Sequence, residues 1–109
     1  MATSPINGFK VESFKYNGLN VVICGSAAAK NIRIFGKPSS TMNANSNYTV
    51  GTISNTVLRP MDTTTAEIVT SSGLETIYII IYPGGSIQVV PRTDRTSTGN
   101  TINLNFTYI

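Results

Sequence analysis

The chain has 109 residues, a formal net charge of +3, one cysteine, no histidine and no tryptophan, and only 12% of its residues are charged. The length supports one domain, residues 1–109, burying about 65% of its unfolded surface around a single core. Missing histidine excludes His-based triads and most zinc sites, so neither a cofactor nor a metal is expected. Scattered basic residues argue against nucleic-acid binding, which needs a concentrated patch.

Roughly a third of the residues are Ser, Thr or Asn, residues that suit pleated and turn positions better than helix interiors. The longest apolar run, Ile77 to Tyr82, is too short to cross a bilayer, and no apolar signal segment opens the sequence. Membrane insertion and a secretory signal are therefore not expected.

Along the chain, Phe9 to Tyr16 and Leu19 to Cys24 flank Asn17-Gly18, a strong hairpin signal because both turn positions need a positive φ. Cys24 reads as a small buried hydrophobe. Gly25 to Asn31 reads as a loop or short strand continuation and Ile32 to Phe35 as a strand. Gly36 to Asn47 reads as a polar connection. Tyr48 to Ile53 forms a strand with Tyr48, Val50 and Thr52 on one face, and Val57 to Pro60 ends it.

Met61 to Thr65 is a turn, Ala66 to Thr70 a strand, and Ser71-Ser72-Gly73 a second turn. Leu74 to Tyr82 is strongly apolar on both faces, with Tyr78, Ile80 and Tyr82 on one side and Ile77, Ile79 and Ile81 on the other. A neighbouring subunit around a symmetry axis is expected to cover the face turned away from the core; the chain's own loops are the alternative. Pro83-Gly84-Gly85 turns into Ser86 to Val90, and Thr101 to Ile109 alternates as a half-buried strand. The expected fold is all-β: a compact antiparallel barrel or sandwich of about seven strands, Greek-key-like.

Five carboxylates, Glu12, Asp62, Glu67, Glu75 and Asp94, show no spacing that selects a glycosidase pair, and Glu12, Glu67 and Glu75 read as solvated edges. The expectation is a protein that is not an enzyme. The loop Arg92-Thr93-Asp94-Arg95 concentrates two guanidinium forks and a carboxylate, with Arg92 and Asp94 about 7 Å apart on one side of an extended chain. Such groups suit sugar hydroxyls or a glycerol phosphate. The sequons Asn47-Tyr48-Thr49 and Asn105-Phe106-Thr107 are incidental in a chain this rich in Asn and Thr.

The order Val50-Gly51-Thr52-Ile53, Leu58-Arg59-Pro60, Ile77 to Tyr82, a Gly-Gly turn, Ser86-Ile87-Gln88-Val89 and a closing Phe106-Thr107-Tyr108 resembles the C-terminal head domain of receptor-binding proteins on siphophage tail tips, most closely those of lactococcal phages. The pattern spans Tyr48 to Ile109. The resemblance implies a trimeric β-barrel head in the virion that recognises host cell-wall polysaccharide near subunit boundaries and contacts other tail or baseplate proteins. Such heads often present an aromatic ring beside an Asp, a His and an Arg. Here Asp94, Arg92 and Arg95 match by residue type, and Tyr48 or Tyr82 would supply the stacking surface in a chain without Trp or His. The alternative function is a structural tail or baseplate subunit making protein contacts only.

Overall fold

The Asn17-Gly18 turn starts the architecture. Asn17 and Gly18 adopt φ of 49° and 83°, a paired left-handed turn whose twist matches the strands it joins. A side chain at Gly18 would also place its Cβ 2.3 Å from the Lys37 carbonyl oxygen, so only glycine fits. The strands it joins are β1 (Lys10–Tyr16) and β2 (Leu19–Gly25). The Asn17 side chain accepts from the Ser40 backbone N–H and hydroxyl and donates to the Ser40 carbonyl, tying a distant loop to the turn.

A computed structural model describes residues 9–69, 76–93 and 101–109. The remaining strands are β3 (Lys30–Gly36), β4 (Tyr48–Thr52), β5 (Thr64–Val69), β6 (Thr76–Ile81), β7 (Ser86–Pro91) and β8 (Ile102–Tyr108). They form two antiparallel four-stranded sheets, ordered β1-β2-β3-β8 and β4-β7-β6-β5. The expected all-β fold is therefore observed, as a sandwich. In the second sheet β5, β6 and β7 meander and β4 lies beside β7, a Greek-key arrangement.

Strand alternation sorts the core. Leu19, Val21 and Ile23 from β2, Ile32 and Ile34 from β3, and Leu104 from β8 meet Ile77, Ile79 and Ile81 from β6 and Ile87 and Val89 from β7. All are buried, and each such aliphatic side chain contributes about 1.5–3 kcal/mol relative to exposure. Met42, inside the connection expected to be polar throughout, is buried in the same cluster. It faces the same interior space as Leu19, Ile34 and Leu104 of the first sheet and Ile77 and Val89 of the second.

Local readings along the strands need correction. A bulge between Thr49 and Gly51 places an extra residue, Val50, in β4, so the alternation switches there. Tyr48 and Val50 pack on the core while Thr52 is exposed, and Ile53 takes the next buried position. Thr56–Leu58 forms a 3-10 turn capped by the Asn55 side chain, which accepts from the Val57 N–H, and it inserts Leu58 into the core. Cys24 is half-buried and lies opposite Val11 and Asn31 on the outer face of the first sheet.

Two polar residues sit at the core margin. Lys30 is 3% exposed; its ammonium donates to the Ala27 carbonyl at 3.0 Å and lies 5.8 Å from the Tyr108 ring centre. Glu12, expected as a solvated edge, lies opposite core residue Ile23 and reaches across to the loop after β4. Its carboxylate accepts from the Ser54 and Asn55 backbone N–H groups and the Ser54 hydroxyl. Burial opposes its charge, but these donors outweigh that effect, helped by Arg59, and hold the carboxyl below its ordinary value.

Candidate functional site

The second sheet places β7 and β6 at its centre, so their outward residues form the middle of a face. Ile77, Ile79 and Ile81 point inward and are buried, whereas Tyr78, Ile80 and Tyr82 are half-buried on the outside. Opposite Tyr78 the register sets Glu67 on β5 and Val90 on β7. Val90 is only 5% exposed although it lies outside the main core. The face expected to require a neighbouring subunit is thus partly covered within the chain.

Arg92 supplies much of that cover. Its backbone N–H donates to the Thr76 carbonyl, extending the β7 pairing by one step and directing the side chain back across the sheet. The guanidinium lies 5.1 Å from the Tyr78 ring centre, within the range of a cation–π contact. Its Nη1 donates to Asn45 Oδ1 at 3.3 Å, and its Nε lies 3.6 Å from Glu67 Oε1. The side chains of Arg92 and Glu67 are 39% and 53% exposed, so water screens the pair and it adds little stability. Both groups remain open to a ligand.

Asn45 is carried by a turn that the chain fixes with care. Its φ is 61°, a left-handed conformation that asparagine tolerates, and its N–H donates to the Pro91 carbonyl. The Tyr48 hydroxyl accepts from the Asn43 N–H. Tyr48 itself is paired with core residue Val89, and its ring lies 6.4 Å from that of Tyr16. The structure therefore places Tyr48 on the core side, as a support for the Asn45 turn, away from the stacking position expected for it.

Tyr82 lies on the outer face, four residues or about 13 Å from Tyr78 along the strand direction. Its hydroxyl is 3.5 Å from Gln88 Oε1, which also accepts from Asn47 Nδ2 at 3.1 Å. The face thus holds two polar stations, each beside a tyrosine ring, with Ile80 between them. Arg92 belongs to the first and Tyr82 to the second. Asp94 and Arg95 lie outside the described residues.

Sequence reasoning passed over Glu67, Tyr78, Asn45 and Gln88. Period-two alternation put Tyr78 on the correct face, but its alignment with Glu67 depends on which strands pair and in what register. Glu67 provides the carboxylate acceptor beside Arg92. Guanidinium donors, carboxylate and amide acceptors and aromatic surfaces on a sheet suit non-covalent binding of a polyhydroxylated ligand.

Glu12 lies on β1 and Glu67 on β5, on edge strands of different sheets. Among the described residues no group of three His, Cys, Asp or Glu side chains could hold a metal ion. No protein-family model matches the chain, and no curated protein matches it.

Proposed function

We propose that this chain is the receptor-binding head of a phage tail adhesin, located at the tail tip, which holds host cell-wall saccharide without cleaving it. The observation that supports this reading is the grouping of Arg92, Tyr78, Glu67 and Asn45 on one sheet face. Arg92 donates to ring hydroxyls, Glu67 and Asn45 accept from them, and Tyr78 with Tyr82 gives apolar ring faces a surface to cover. Few polar contacts replace the sugar's hydration at a small site, so each head binds weakly. A trimer of heads, repeated on one tail, raises avidity about 10²–10⁴-fold where the geometry lets several engage at once.

A structural tail or baseplate subunit is the second reading. Met61 and Ile109 are 77% and 67% exposed, and the Met61 N–H donates to the Ile109 carbonyl, which brings these two segments together. This exposed apolar pair suits a protein neighbour, including another copy in a trimer.

Labelling Gram-positive cells with the fluorescent chain, with purified wall saccharides as competitors, separates the two readings. The adhesin reading expects strain-selective labelling abolished by one saccharide. Absence of labelling by a folded sample that binds another virion component favours the structural reading.

A further inference from the structure

The outer face of the first sheet differs chemically from the site on the second. Register places Arg33 beside Asn105, and in the next row sets Phe35 between Asn20 and Asn103, with Lys15 beyond Asn20. The Arg33 guanidinium lies 4.3 Å from the Phe35 ring centre. Arg33, Asn103, Asn105 and Lys15 are exposed. Among the described residues no carboxylate shares this face; Glu12, the one acidic residue on the sheet, is turned to the core side and bonded to Ser54 and Asn55.

We propose that this face is a second glycan-binding surface, selective for an acidic sugar residue whose carboxylate is held by Arg33. A guanidinium resting on an aromatic ring loses little side-chain freedom on binding, and its planar fork matches a carboxylate with two parallel hydrogen bonds. One guanidinium satisfies one carboxylate. The Asn103 and Asn105 amides, two residues or about 7 Å apart on β8, both donate and accept, as ring hydroxyls require. A hexuronate carries the carboxylate and the hydroxyls on a single pyranose ring and so meets Arg33 and the asparagines together. Lys15 adds positive potential without an opposing acid, and the face lies across the sandwich from Arg92. This assignment goes beyond the adhesin reading and does not depend on what the Arg92 face binds.

The test is titration of the isotopically labelled full chain with a hexuronate oligosaccharide, a neutral glucose oligosaccharide and a sugar phosphate, followed by amide chemical shifts. Expected are shifts clustered at Arg33, Phe35, Asn103 and Asn105 with the hexuronate, weakened about tenfold in Arg33→Gln and by added salt, with the neutral oligosaccharide weaker. Arg33→Lys keeps the charge but loses the fork, and is expected to bind less well than the native chain. Equal binding of the neutral oligosaccharide, tighter binding of the sugar phosphate, or unchanged hexuronate affinity in a folded Arg33→Gln chain would overturn the assignment. Shifts confined to Arg92, Tyr78 and Glu67 would also overturn it while supporting the adhesin site; shifts at Arg33 beside a silent Arg92 face would support it, and the Arg92 site is then judged by wall-saccharide competition.

Discussion

The ring of Phe14 lies against the backbone of Gly51, so closely that a Cβ at Gly51 would stand 2.6 Å from Phe14 Cγ. This contact joins β1 of one sheet to β4 of the other at the edge of the sandwich. It also falls beside the β4 bulge, which needs a residue without a side chain where the aromatic ring crosses.

Gly51→Ala is accordingly expected to cost about 1–3 kcal/mol, the usual range for forcing a methyl group into a packed site. Chemical denaturation should show a lower midpoint with an unchanged slope. Phe14→Leu in the same background should recover part of the loss, because the two changes share one contact. If Gly51→Ala is as stable as the native chain, the sheets do not meet as described.

Glu12 joins the same pair of strands electrostatically. Its folded pKa lies below the ordinary 4.5 because the Ser54 and Asn55 donors prevail over burial. A lowered carboxyl contributes stability that is present above pH 4.5 and lost as pH falls through the folded value. The native chain should therefore lose denaturant resistance on acidification below about 4.5, and Glu12→Gln should flatten that part of the profile. Exposure of the bonds to water keeps the effect modest. Parallel acid profiles in the two proteins would remove Glu12 from this role.

Tyr108 controls the alkaline side. Its hydroxyl donates to the Leu58 carbonyl at 2.6 Å, and burial, with a smaller effect from Cys24, pushes its pKa up to about 12 from 10.0. An acid whose folded pKa is raised contributes stability that is complete below pH 10 and disappears as pH rises towards 12. Tyr108→Phe should cost about 1–3 kcal/mol at neutral pH, since it leaves the Leu58 acceptor unpaired. It should also remove this part of the alkaline decline. Denaturation midpoints across the range, read beside the ultraviolet absorbance of phenolate, test both statements.

Much of this fold is legible in the sequence because its signals are local. Asn17-Gly18 demands a hairpin, and the alternation of Ile77, Ile79 and Ile81 marks a strand with one buried face. The bulge at Val50 is not legible, since it depends on how Phe14 crosses Gly51 from another sheet. Met42 is hidden in the same way, an isolated apolar residue among polar ones whose burial follows from where the connection crosses the sandwich. The candidate site divides along the same line. Arg92 and Tyr82 stand out by residue type, whereas Glu67 becomes a partner of Arg92 only when β5 pairs with β6 in the register that sets it opposite Tyr78.

That register sets the last prediction. On the adhesin reading, Arg92→Ala removes the donor, frees the Tyr78 ring and leaves Glu67 unpaired, so wall-saccharide affinity should fall about tenfold or more. Arg92→Lys should recover only part of it, because an ammonium keeps the charge but cannot reproduce the planar fork or its stacking. Tyr78→Phe should bind nearly as well as the native chain, since the ring surface is retained, whereas Tyr78→Ala should not. Glu67→Gln keeps an acceptor oxygen but loses charge-assisted bonds to hydroxyls, and its affinity should fall between those of Arg92→Ala and Tyr78→Phe. Because the Arg92 and Glu67 side chains are 39% and 53% exposed, substitutions at these two positions should leave the denaturation midpoint close to that of the native chain. Saccharide competition with each folded variant gives the ranking. Unchanged binding in Arg92→Ala would exclude this face as the saccharide site, because no other described residue there offers a guanidinium fork.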